Sequence, residues 1–156
     1  MLDVATGMRL LQQSFDAFDE AVALRLGLNR TDLRCLDLAL AQGPLSAGEL
    51  ATGLGLSPAA TTTVIDRMER AGFVTRSPDP GNRRRVLVAA TDAARNVDRE
   101  IYLPVGAAGT RALNHYTESQ LATIVAFLQT ARRVQQDHIA RLAAKPRPER
   151  GPGSGA

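Results

Sequence analysis

Cysteine is nearly absent from this 156-residue chain, where Cys35 stands alone. A single thiol cannot close an internal disulfide or build a thiolate metal cage, which excludes a disulfide scaffold and a zinc finger. Tryptophan is missing, and four phenylalanines and two tyrosines are the whole aromatic content. The core therefore has to be packed from Leu, Val, Ile and Ala. Lysine is reduced to Lys145, so arginine carries nearly all the positive charge. The longest nearly apolar stretch, Leu121 to Leu128, falls far short of the ~20 residues a membrane helix needs. The opening Leu2-Asp3-Val4 has no basic n-region or cleavage site, so a cytoplasmic protein without membrane contact is expected. His115 and His138 have no Ser or Cys nucleophile signature beside them, and Gly53-Leu54-Gly55 is too short for a dinucleotide loop. No enzyme activity, catalytic residue, metal ligand or cofactor is expected.

What is present is the composition of a folded domain, 44% apolar and 22% charged. The net charge is +3 and the pI about 9.7. That excess points to an acidic partner, although a solvated basic face would give the same total. The charge is uneven: residues 57–91 carry six arginines against three acids, whereas residues 1–56 are net acidic. Half of the six form one run, Arg83-Arg84-Arg85.

Periodicity predicts a first helix over about 3–26. Val4, Met8, Leu11, Phe15, Phe18 and Val22 alternate spacings of four and three, a heptad seam that suits another helix or a second subunit. The alternative is an ordinary helix on its own core. After Gly27, Thr31 or Asp32 starts a second helix that runs to about Ala41 and closes at Gly43-Pro44. Ser46-Ala47-Gly48-Glu49 is a capping box for a short third helix. Ser57-Pro58 opens a fourth, with Thr61, Val64, Ile65 and Met68 facing inward until Gly72. Phe73–Thr75 and Val86–Val88 are β-prone, and the turn-rich 77–82 segment between them makes a hairpin with a long basic tip. Thr91-Asp92 caps a helix to about Leu103, where Pro104 and Gly106 interrupt or kink it. Thr117 and Gln120 form a second capping box and start a helix to about Ala144. Leu121, Val125, Leu128, Ile139 and Leu142 again fit heptad positions, with Arg132 and Gln135 in the seam. Residues 145–156 are expected to be a disordered tail.

This order of elements, helix, short helix, turn, helix and basic hairpin, predicts a mostly α winged helix-turn-helix. The expected single domain spans 1–144, with a winged-helix lobe at about 30–91 between dimerisation helices at about 1–26 and 92–144. The outward face of the fourth helix shows Ala59, Thr62, Thr63, Asp66, Arg67 and Arg70. Small side chains at its start would let the helix end approach base edges, where hydroxyls bond and methyls meet thymine. Free amides at Ala59 and Ala60 would suit phosphate. Arginines at a hairpin tip suit a narrow minor groove, being planar and weakly hydrated.

Three stretches together resemble the MarR family of transcriptional regulators. They are Leu50-Ala51 through Leu54-Gly55-Leu56-Ser57, then Val64-Ile65-Asp66-Arg67-Met68-Glu69-Arg70-Ala71-Gly72-Phe73-Val74, then Asp79-Pro80-Gly81-Asn82-Arg83-Arg84. The motifs cover about 30–100; the terminal helices agree in pattern only. The resemblance implies a homodimer on a pseudo-palindromic duplex, most often a repressor released by a small aromatic or phenolic ligand. It implies DNA contacts from Ser46, Ser57, Ala59, Ala60, Thr62, Thr63, Arg67, Asn82, Arg83 and Arg84, with Arg84 in the minor groove. It also implies a dimer interface at Val4, Met8, Leu11, Phe15, Leu121, Val125, Leu128 and Ile139. Arg9, Phe15, Phe18, Arg34, Leu36 and Tyr102 are candidate effector-pocket residues. Two positions depart from the family pattern: Asn82 stands where an aspartate often precedes the arginine pair, and Thr63 where a longer polar side chain is common. Cys35, between Arg34 and Leu36 on a helix, is expected to be buried and structural. The rival reading is a winged-helix module that binds protein, which would not need three arginines on the hairpin.

Overall fold

The structure, a computed structural model, describes residues 2–144 without the side chains of Leu2 and Arg83. The expected tail at 145–156 lies outside the described residues. The chain divides into two compact units, one ending at Ala107 and the other beginning at Ala108.

The first unit opens with α1 (Leu2–Leu26) and α2 (Arg30–Gln42). The second helix starts earlier than its Thr31-Asp32 signal suggested. Asn29 is the N-cap, and its side-chain oxygen accepts the Asp32 amide at 2.8 Å. That leaves the Asp32 carboxylate unused by the cap and available elsewhere. Next come β1 (Leu45–Ser46), α3 (Ala47–Leu54) and α4 (Pro58–Arg70). Both helices have their expected caps, Ser46 with Glu49 in a complete capping box and Ser57 ahead of Pro58. The turn between them hinges on Gly55, whose φ of 67° lies in the left-handed region glycine adopts freely. Gly53 serves closeness instead, since a Cβ there would sit 2.9 Å from a Leu38 methyl.

The hairpin consists of β2 (Val74–Asp79) and β3 (Asn82–Ala90). Its strands run almost to the tip, in place of the long loop expected over 77–82. Pro80 and Gly81 alone connect them, and the register shifts between Pro78 and Asp79. Pro78 fits inside a strand because β2 is an edge: the sheet order is β1-β3-β2, all antiparallel. The two-residue β1 was not expected. It pairs Leu45 with Val88 and ties the start of α3 to the hairpin.

The helix after the hairpin, α5 (Asp92–Val97), passes through a π-helical turn at Asp98–Tyr102 into α6 (Leu103–Leu113). Pro104 and Gly106 do not break it. The Leu103 amide reaches back five residues to the Asp98 carbonyl, a wider register immediately before a proline that has no amide to donate.

The core of this unit joins Val22 and Ala23 of α1, Leu33, Cys35 and Leu36 of α2, and Leu50 of α3. Val64, Ile65 and Met68 of α4 and Val74 and Val88 of the sheet also belong to it. Each fully buried aliphatic side chain of this size contributes ~1.5–3 kcal/mol. Cys35 is fully buried; burial and the nearby Asp32 charge push its thiol up to about 11, so the thiolate is disfavoured. In the second unit, α7 (Glu118–Ala143) starts at its Thr117–Gln120 capping box. Although it spans 26 residues, none is fully buried; Leu121, Ile124 and Ala131 are half-buried. No described helix is long and apolar enough to cross a membrane.

Candidate nucleic-acid interface

Helix α4 is amphipathic by residue choice. Thr61, Val64, Ile65 and Met68 are buried, and Ala59, Thr62, Thr63, Asp66 and Arg70 lie on the exposed side. Thr61 lies on the inward face with Val64, Ile65 and Met68, and burial is tolerated because its hydroxyl donates to the Ser57 carbonyl at 2.9 Å. Thr62 and Thr63 make the same intrahelical bond, to the Pro58 and Ala59 carbonyls at 3.1 and 3.2 Å. Their methyls and remaining oxygen lone pairs therefore face solvent in a fixed rotamer. The two expected serines have capping duties. The Ser57 hydroxyl accepts the Ala60 amide at 3.3 Å, and the Ser46 hydroxyl donates to Glu49 Oε2 at 2.7 Å. The Ala60 amide is thus already committed, so the expected amide pair at Ala59 and Ala60 has one member engaged.

Arg67 also has a partner inside the protein. Its Nε lies 3.1 Å from both carboxylate oxygens of Asp32, and Nη2 donates to Oδ1 at 2.6 Å. This bonding holds the guanidinium pKa above its ordinary value. Beside it, Asp66 places a negative charge on the exposed side of α4. Arg76 of β2 answers that charge with Nη2 at 2.5 Å from Asp66, while Nη1 and the backbone amide bind Glu69. Burial opposes the Arg76 charge, but the bonds to Asp66 and Glu69 outweigh it and raise its pKa. Arg85 of β3 reaches Glu49 at 2.6 Å, at the first turn of α3. The Glu49 carboxyl is held down at about 2 by the Ser46 amide, then the Ser46 hydroxyl, then Arg85.

Near the tip, the Asn82 side chain accepts the Arg84 amide at 3.1 Å and the Asp79 carboxylate accepts the Gly81 amide at 2.8 Å. Asn82 therefore shapes the turn backbone where an aspartate often stands in the family. The Arg84 side chain is exposed and forms no ion pair among the described residues. The Arg83 side chain lies outside the described residues. Of the two arginines of the 83–85 run whose side chains are described, Arg85 is bound internally and Arg84 is available.

Asp32, Arg76, Glu49 and Arg85 are missing from the expected site residues. Their pairings span up to 36 positions in sequence, and no local motif announces them. One signal existed for Asp32: an acid beside Leu33 and Leu36 on a helix whose cap is already filled.

The other expected sites distribute as follows. On α1, Val4, Met8, Leu11 and Phe15 are exposed, as are Val125, Leu128 and Ile139 on α7. Phe18 and Tyr102 pack edge to face at 6.0 Å. Leu36 is in the core, whereas Arg9 and Arg34 are exposed. A cavity of about 300 Å³ lies among α1, α2 and α3, lined by Asp19, Arg30, Thr31, Arg34 and Asp37 over Leu33, Leu54 and Leu56. Of the six candidate pocket residues only Arg34 reaches it. Among the described residues no His, Cys, Asp and Glu cluster could hold a metal ion.

A profile of the MarR family matches residues 28–86. The chain is 35% identical over 125 residues to the HTH-type transcriptional regulator YcgE of Bacillus subtilis, covering 80% of this chain and 81% of that one. It belongs to the MarR family. A MarR family protein from Bacillus stearothermophilus superposes with a TM-score of 0.62 at 20% identity, over 88% of this chain and 94% of the other. Apo MarR from E. coli superposes with a TM-score of 0.57 at 21% identity, over 81% and 95% of the two chains. These neighbours share the winged-helix fold expected from the element order. As a member of a family of transcriptional regulators, this chain is not an enzyme.

Proposed function

We propose that this MarR-family protein is a homodimeric transcriptional repressor that binds double-stranded DNA sequence-specifically, with α4 in the major groove and Arg84 in an adjacent minor groove. The observation that carries the reading is the pairing of two exposed surfaces in one lobe. Helix α4 offers Ala59, Thr62 and Thr63 with no charged side chain before Asp66, and the hairpin offers an uncommitted Arg84. Asp66, which would repel phosphate, is held in an ion pair by Arg76. Small groups that allow close approach, with one arginine for A·T-rich minor groove, form a base-reading combination. Self-association is supported by exposed apolar side chains on α1 and α7, each a helix with unpartnered Leu, Val or Phe. Release by a small aromatic or phenolic effector is part of the same proposal, and membership of the MarR family supports it.

Binding titrations on a specific and a scrambled duplex at several salt concentrations test this. Arg84→Ala is expected to weaken specific binding by about 1–3 kcal/mol and to relax A·T preference beside the half-sites. Half-sites should lie roughly 10–10.5 bp apart, centre to centre. Wild-type affinity for both duplexes in that variant would overturn the minor-groove role of Arg84, and equal affinity of the wild type for the two duplexes would instead favour a module that binds protein.

A further inference from the structure

The pair between Asp32 and Arg67 joins the first turn of α2 to the second half of α4. The Asp32 side chain is 5% exposed and that of Arg67 is 37% exposed, so the carboxylate is inside and the guanidinium bridges outward. A half-buried ion pair adds little net stability, because desolvation offsets most of the attraction. Its geometry is another matter. Two guanidinium nitrogens fork onto one carboxylate, and such a fork tolerates little sliding or rotation. The apolar contacts between α2 and α4, centred on Leu36, Val64, Ile65 and Met68, are non-directional and would allow α4 to roll by a fraction of a turn. The next residue back, Asp66, is fixed to Arg76 of β2. Consecutive residues of α4 are thus pinned to two different elements by partners of opposite sign.

We infer that Asp32 is a positioning residue for DNA reading: through Arg67 it sets the roll of α4, and Arg67 is a strut and not a DNA contact. This rests on the DNA-binding reading above and revises the role expected for Arg67 from sequence. Charge alone is not sufficient for the strut; the planar fork is required. A phosphate contact made as a point charge would have the opposite property, surviving lysine and lowering the salt slope once the charge is removed.

The test uses the duplex that the wild-type protein enriches from a randomised pool, with a scrambled duplex as reference, at several salt concentrations. Arg67→Lys, Arg67→Gln and Asp32→Asn are each expected to lose about tenfold or more in specific affinity, with scrambled binding and the salt slope unchanged. D32N/R67Q should be no worse than the poorer single variant, because both singles remove one strut. Circular dichroism and thermal melting establish which variants fold, and Arg67→Lys, which keeps charge and bulk, carries the decision if Asp32→Asn does not. Wild-type specific affinity for Arg67→Lys, or a salt slope lowered by about one unit in Arg67→Gln, overturns the proposal while leaving DNA binding intact. Failure of the wild type to enrich any duplex overturns the DNA reading itself and this inference with it.

Discussion

Helices α4 and α7 are both amphipathic, yet they complete their burial in different ways. In α4, Thr61, Val64, Ile65 and Met68 are no more than 3% exposed, and ion pairs to α2 and β2 flank the buried stripe. In α7, twice as long, Val125, Leu128 and Ile139 are each more than half exposed. The lobe around α4 covers that apolar stripe, and pairs Asp66 and Arg67, from within the chain. The heptad seam of α7 has residues of core type without a core, the condition of a helix that a second copy would cover. The first helix shows both behaviours in one element: Val22 is buried in the lobe, and Val4 to Phe15 are exposed.

A matched pair of truncations gives the sharpest contrast. Ile65→Ala should destabilise the lobe by about 2–5 kcal/mol through the cavity left in a closed core. Ile139→Ala should leave lobe stability nearly unchanged and loosen self-association. Urea unfolding and sedimentation read the two quantities, and equal unfolding costs would erase the distinction. Leu128→Glu and Phe15→Glu place a charge on the proposed seams. Each should weaken self-association by roughly 3 kcal/mol, about a hundredfold, while far-UV circular dichroism keeps the lobe helical. A wild-type protein that sediments as a monomer with full DNA affinity would break the dimer half of the comparison.

The smallest expected effect lies within the lobe and depends on pH. Glu49 has its folded pKa depressed to about 2 from an ordinary 4.5. A depressed carboxylate pKa adds stability that is complete above 4.5 and is lost as pH falls toward 2. Glu49→Gln keeps a capping side chain but loses the charge that Arg85 meets. Its melting temperature should lie below wild type at neutral pH, with the gap closing as pH falls from about 4.5 to about 2. A gap that stays constant over that window would show that the Glu49 charge, held by the Ser46 amide and hydroxyl and then by Arg85, contributes nothing.

Much of the fold and part of the site were determined by local sequence. The caps at Ser46, Ser57, Thr91 and Thr117 depend on a side chain and an amide two or three residues on, so the sequence alone places those helix starts. The buried stripe of α4 is likewise a matter of period, and all four expected residues are inside. The stretches Leu50 to Ser57, Val64 to Val74 and Asp79 to Arg84 together indicated the family. Tertiary structure alone decided which charged side chains are available. Arg67, Arg76, Arg84 and Arg85 are chemically the same, but three meet carboxylates from other elements and one faces solvent. It also decided that Leu45-Ser46 becomes a strand, because two residues form one only where a neighbouring strand offers its edge. Caps and periodicity act over a few residues and are written in order along the chain. Ion pairs and strand edges depend on distances that exist only after the chain has folded.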